Sequence, residues 1–175
     1  MAFHRSTIYI MNIRKKILGS ALFLLFAYSA SAQYVVKSAE LNQEGALELA
    51  KQANLEAQKI NKKVSVAVLN SSGVTILLLK GDNVGPHNTE ASRRKAYTSL
   101  STKTPSLQLM KNAEESKDAK NLNTLPELLL LGGGMPIWKD GNLVGSIGVS
   151  GGGGSENDNN IAIKAVENLG FKISQ

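Results

Sequence analysis

The sequence predicts an α/β fold of the α+β type, a single domain with an antiparallel, about five-stranded sheet flanked by helices. Three observations carry this expectation. The elements read as helix, two strands, helices, three strands, helix. The links between neighbouring strands are of hairpin length, which favours antiparallel pairing over a doubly wound parallel sheet. The chain has 175 residues, 42% of them hydrophobic, enough for one buried core and hardly for two. Cysteine is absent, so disulfides, thiolate metal sites and cysteine nucleophiles are excluded.

The first element is a leader. From Met11 the order is a basic trio, Arg14 to Lys16, then an apolar stretch, Ile17 to Tyr28, then Ala30-Ser31-Ala32. This is the order of a secretory signal peptide, with the apolar part too short to span a bilayer comfortably. We therefore expect a signal peptide over residues 1–32, with Met11 as an alternative start, and a domain over residues 33–175. The expected location is outside the cytoplasmic membrane, in periplasm or medium, with no stable membrane insertion once the leader is cut. Residues 1–32 hold Arg5, Arg14, Lys15 and Lys16 and no acid, so the remaining 143 residues carry +2 in place of +6. The basic footprint expected of a nucleic-acid binder disappears with the leader.

Residues 43–60 place Ala46, Leu49, Ala50, Ala53, Ala57 and Ile60 three or four apart, the apolar stripe of an amphipathic helix, with Asn42 as its N-cap. Val64 to Leu69, the turn cluster Asn70-Ser71-Ser72-Gly73 and Val74 to Leu79 read as a hairpin. A second helix runs from Asn88 or Thr89 to about Ser101, and Thr104-Pro105 opens a third. The polar stretch Asn112 to Asn123 reads as a loosely packed connection. Three strands follow, over Leu128–Leu131, Met135–Trp138 and Leu143–Val149, the last two joined at Asp140-Gly141. After Gly151 to Gly154 comes a final helix, capped by Ser155 or Asp158 and ended by Gly170.

Several motifs meet tests they fail. Gly148-Val149-Ser150-Gly151-Gly152 fits the G-x-S-x-G nucleophile elbow, but no histidine follows Ser150 as that arrangement requires. The glycine run lacks the lysine of a P-loop and the spacing of a dinucleotide fingerprint, leaving an anion at a helix start as the alternative to plain backbone packing. His87 is the one histidine outside the leader, which excludes sites built from several imidazoles but still permits a single axial ligand to haem iron. Tyr34, Tyr97, Met110 and Met135 are the other conceivable iron ligands, each more often a packing residue. Arg93, Arg94 and Lys95 form either a solvated helix face or a clamp for carboxylates such as haem propionates. Asp82, Glu90 and Asp158 are isolated in sequence, so no acid pair for glycoside chemistry is evident.

Gly133-Gly134-Met135-Pro136, the Asp140-Gly141 turn, and Val144-Gly145-Ser146-Ile147-Gly148-Val149-Ser150-Gly151 with Asp158 beyond resemble the C-terminal signature of the GlcG/HbpS-like haem-binding family. Val64 to Leu69 before Gly73 resembles that family's V-x-V-V-D-x-x-G strand and turn, and Lys95-Ala96-Tyr97-Thr98 its K-A-x-T helix motif. The chain departs from the pattern at Asn70-Ser71-Ser72-Gly73, at Lys80-Gly81-Asp82-Asn83 and in a longer glycine loop. The resemblance implies a profilin-like fold, assembly into homo-oligomers and binding of haem or a related small ligand. Lys95 and Thr98 are pocket residues by motif. His87 is added from its chemistry and position as the metal ligand, and Arg94 shares the propionate role with Lys95. The function expected is an exported haem-binding protein, for haem capture or haem-linked sensing, without catalysis of its own. The alternatives are a haem-degrading or peroxidase-like enzyme, and a binding or assembly module for another small anion.

Overall fold

The computed structural model describes residues 38–175, so the leader read over residues 1–32 lies outside the described residues. Asn42 opens helix α1, Gln43–Lys59, its side chain accepting from the Gly45 N–H at 2.8 Å, and five of the six expected stripe residues are buried. Ile60 ends the helix exposed. Strands β1, Ser65–Asn70, and β2, Thr75–Leu79, form the expected hairpin. Helices α2, His87–Thr102, and α3, Ser106–Glu115, follow, then β3, Gly134–Lys139, β4, Asn142–Ser150, and α5, Ser155–Glu167. The sheet order is β2-β1-β4-β3, antiparallel throughout. Asp140 and Gly141, with φ of 50° and 75°, make the β3–β4 turn in the left-handed region that an Asp-Gly pair supplies readily.

The sheet has four strands, not five. Leu128 to Leu131 is irregular chain, turned by a Leu131 N–H to Leu129 carbonyl bond of 2.9 Å, and its other polar groups are claimed from the side: Thr98 Oγ1 accepts from the Leu129 N–H at 2.8 Å, Arg94 donates to the Leu128 carbonyl at 2.6 Å, and Ser106 donates to the Leu131 carbonyl at 2.7 Å. Leu128 and Leu130 bury themselves against Leu109 rather than in a ladder. The stretch from Asn112 to Asn123 buries no side chain, as a loosely packed connection should, but it is largely helical. It holds the end of α3, a short helix α4, Lys117–Asn121, that Ser116 caps, and the start of a 3₁₀ turn. No α4 residue is buried, which is why periodicity gave no sign of it.

Alternation along β1 sends Val66 and Val68 to one face and Ala67 and Leu69 to the other. The first face, with Ile137, Ile147 and Val149, is covered by α1 and α5. The second is covered by α2, through Ala96 and Leu100. Here the sheet is almost bare. Ala67, Gly148 and Gly134 lie opposite one another across β1, β4 and β3, a cross-strand row of the smallest residues. A methyl group at Gly148 would collide with the Ser92 carbonyl, and one at Gly134 with the Lys95 carbonyl, so α2 rests on the sheet backbone to backbone.

The two sheet edges differ. Trp138 of β3 exchanges two backbone hydrogen bonds with Lys172, at 2.8 and 3.0 Å, so the tail covers part of that edge. No described residue pairs with the outer side of β2, where Leu78 and Leu79 are exposed. Among the described residues no helix is long and apolar enough to cross a membrane.

The seating of α2 makes a sharp prediction. Gly148→Ala should cost about 3 kcal/mol, the upper end for overpacking. Gly170→Ala, where only a φ of 76° resists and the space is open, should cost about 1 kcal/mol. Urea denaturation of the two variants measures both.

Candidate functional site

Helix α2 begins at Pro86, whose missing N–H suits a helix start, and puts His87 at its first position. Gly85 lets the imidazole fold back: a Cβ at that residue would lie 2.9 Å from His87 Cε1 and 3.2 Å from Nδ1. His87, Ala91 and Lys95 are four residues apart, so they share one helix face. That face, the end of β4 at Ser150 and the glycine loop enclose an open cleft of about 340 Å³, also bordered by Leu131. His87 is exposed at its rim.

The cleft's base is an ion pair. Lys95 Nζ lies 2.7 Å from Asp158 Oδ2, with the two side chains only 4% and 6% exposed. The ammonium also donates to the Val149 carbonyl at 3.1 Å and to Ser150 Oγ at 3.4 Å, which uses all three of its protons. Asp158 Oδ1 accepts from the Gly152 N–H at 2.7 Å. Ser150 in turn donates to Asn88 Oδ1 at 2.8 Å. One network therefore joins α2, the end of β4, the glycine loop and α5. Asp158, expected as a cap of α5, serves the loop before the helix instead, and Ser155 lies inside the helix; Gly154 is the N-cap and brings no side-chain bond.

These contacts redistribute the residues chosen from sequence. His87 and Lys95 meet in the cleft; Arg94 and Thr98 do not line it. The Lys95 ammonium expected at a propionate is buried against Asp158, and the Arg94 guanidinium holds the Leu128 carbonyl. Thr98 is buried, donating to the Arg94 carbonyl and accepting from Leu129, so its hydroxyl faces backbone and not a ligand. Arg93 is taken by Glu90 and Glu127, each at 2.7 Å. Its hydrogen bond holds the Glu90 carboxyl below the usual range, and both acids raise the guanidinium pKa.

Chemically, Ser150 is no activated nucleophile: its proton goes to an amide oxygen, and the adjacent lysine is committed to a carboxylate. Among the described residues no three His, Cys, Asp or Glu side chains are grouped to hold a metal ion. A porphyrin's iron would need only one imidazole from the chain, and His87 is the imidazole that lines this cleft. Ala91, Leu131 and the glycine backbone offer the low-relief surface that a flat ring requires. The volume is at the small end for ligand sites, so it fits an edge of a haem and not the whole disc. A second cleft of about 540 Å³, beside Met110 and Leu130, has Glu114, Lys117 and Lys120 on its walls and no histidine.

Sequence reasoning missed the pairing of Lys95 with Asp158. Both residues belonged to recognisable motifs, but they are 63 positions apart and nothing local links them. It also missed Asn88, which looked like a helix start and is the acceptor for Ser150.

Residues 41–167 match the family model described as haem degrading protein HbpS-like. Protein GlcG of Escherichia coli K12 is 33% identical over 95 residues, 54% of this chain and 69% of GlcG. A doubly substituted HbpS of Streptomyces reticuli superposes with a TM-score of 0.73 at 33% identity, covering 78% of this chain and 92% of that one. A PduOC:heme complex has the same fold, with a TM-score of 0.71 at 24% identity over 78% of this chain and 99% of that one. The corrinoid adenosyltransferase PduO of Citrobacter freundii is 23% identical over 130 residues, 73% of this chain, but the chain spans only 38% of that protein.

The buried pair lies within the matched region and should behave as a unit. Lys95→Met or Asp158→Asn alone is expected to cost about 3–5 kcal/mol, because each strands a buried polar partner. The double substitution should cost clearly less than the sum of the two. A double-mutant cycle by chemical denaturation reads the coupling.

Proposed function

The chain belongs to the HbpS-like family, and on that premise we propose that it binds haem, as an exported haem-capture or haem-linked sensing protein without catalysis of its own. The observation that carries this reading is His87, an exposed imidazole at the mouth of a cleft that Ala91, Leu131 and the glycine loop border above the buried Lys95–Asp158 pair. Haem when bound supplies an iron centre able to exchange ligands or electrons. In this reading His87 holds the metal from the rim, and Ala91 and Leu131 pack the ring edge and exclude water there. Lys95 and Asp158 act as positioning residues: they keep the end of β4 and the glycine loop at a fixed distance from α2. Arg94 and Thr98 act one step further out, fixing Leu128 and Leu129 and hence the approach of Leu131 to the cleft.

The heme complex of a protein with this fold supports the ligand class. The signal-peptide order of residues 11–32 supports export. We extend the proposal to a homo-oligomer, since a cleft this small leaves much of a porphyrin for another copy to cover.

The family's description favours one further reading, breakdown of bound haem. It requires a reductant and dioxygen from outside the chain, and it predicts iron release with loss of the Soret band under ascorbate beyond that of free hemin.

Titrating the purified chain with hemin tests binding. We expect a saturable Soret shift at micromolar concentrations, weakened at least about tenfold in His87→Ala. No shift in the unaltered chain, or an organic acid in place of porphyrin in natively purified material, would overturn the haem assignment.

A further inference from the structure

A guest with carboxylates needs a cation at the cleft, and the one basic residue of α2 that lines it, Lys95, is already paired. Arg93, held by two glutamates, and Arg94, which donates to a carbonyl, do not line the cleft, and Lys95 is taken by Asp158 and the end of β4. We propose that Lys62, whose exposed side chain ends beside the glycine loop that borders the cleft, is the residue that neutralises the carboxylate end of the guest; this rests on the haem reading above.

Lys62 follows Asn61, which turns the chain after α1 with a φ of 55°, and its own N–H is tied to the Ala57 carbonyl at 2.9 Å. The turn throws the side chain over the glycine loop. A Cβ at Gly153 would stand 3.3 Å from Lys62 Cε and 3.5 Å from Nζ, and Gly153 borders the cleft.

The charges around it leave that ammonium available. No acid lies within 4.0 Å of it among the described residues, and no acid occurs in the sequence before Glu40. The neighbouring Lys63 contacts Asp82 at 3.3 Å, and Glu156, on the first turn of α5, contacts Lys111 at 3.3 Å. That turn lacks a side-chain cap, so its positive end adds to the potential at the same rim. His87 would hold the metal of a bound porphyrin, and Lys62, beside the glycine loop, would meet its carboxylates.

The ligand itself provides the control. The full chain, Lys62→Ala and Lys62→Glu are titrated with hemin and with hemin dimethyl ester, whose carboxylates are masked. For hemin we expect about three- to fivefold weaker binding in Lys62→Ala, the size of an exposed ion pair, and a larger loss in Lys62→Glu. Both losses should shrink as salt is raised. For the ester, the three proteins should bind alike. Equal hemin affinity in all three proteins, or the same loss for hemin and ester, would overturn the role of Lys62 while leaving haem binding intact. Failure of the unaltered chain to bind either compound would remove both.

Discussion

One contact governs the molecule: a helix lies directly on a strip of sheet that has no side chains to hold it off. Gly134 and Gly148 occupy facing positions on neighbouring strands, and the carbonyls of Lys95 and Ser92 descend into the space a Cβ would fill. This closeness decides how far the helix's side chains reach. From such a low seat Lys95 can pass the sheet's end and meet Asp158 on the opposite layer, across the loop that leaves β4. Raised by the width of one methyl group, the same lysine would no longer satisfy three acceptors at once.

The cleft follows from that seating. Its base is charged but internally neutral, since ammonium and carboxylate find all their partners within the fold. Burying such a pair contributes little net stability, yet it is costly to break, so it works as a register pin between layers. What the cleft presents at its rim is therefore not the buried lysine but an exposed imidazole, with the glycine loop facing it. A buried, fully paired base of this kind fixes the geometry of whatever the rim presents.

The fold was largely legible in the sequence because its signals are local. The alanine stripe of α1, the turn at Asp140-Gly141 and the paired valines of β1 each announce themselves within a few residues. The strand expected at Leu128–Leu131 failed because four leucines satisfy a strand and a buried irregular segment equally well. Which of the two forms depends on Arg94, Thr98 and Ser106, three side chains far away in sequence that take the backbone groups a ladder would need. The site was legible only in part. His87 could be singled out by elimination, whereas the fate of Lys95 depended on a partner 63 residues downstream. Basic residues in a row looked alike, and only packing revealed which were already occupied.

The unequal margins of the sheet also have a consequence. Lys172 seals β3 only at Trp138, whereas no described residue lies beside β2. A strand laid antiparallel against β2 by a twin molecule would cover that leucine-rich edge in both copies at a stroke, a closed two-fold pairing that hides the more exposed margin.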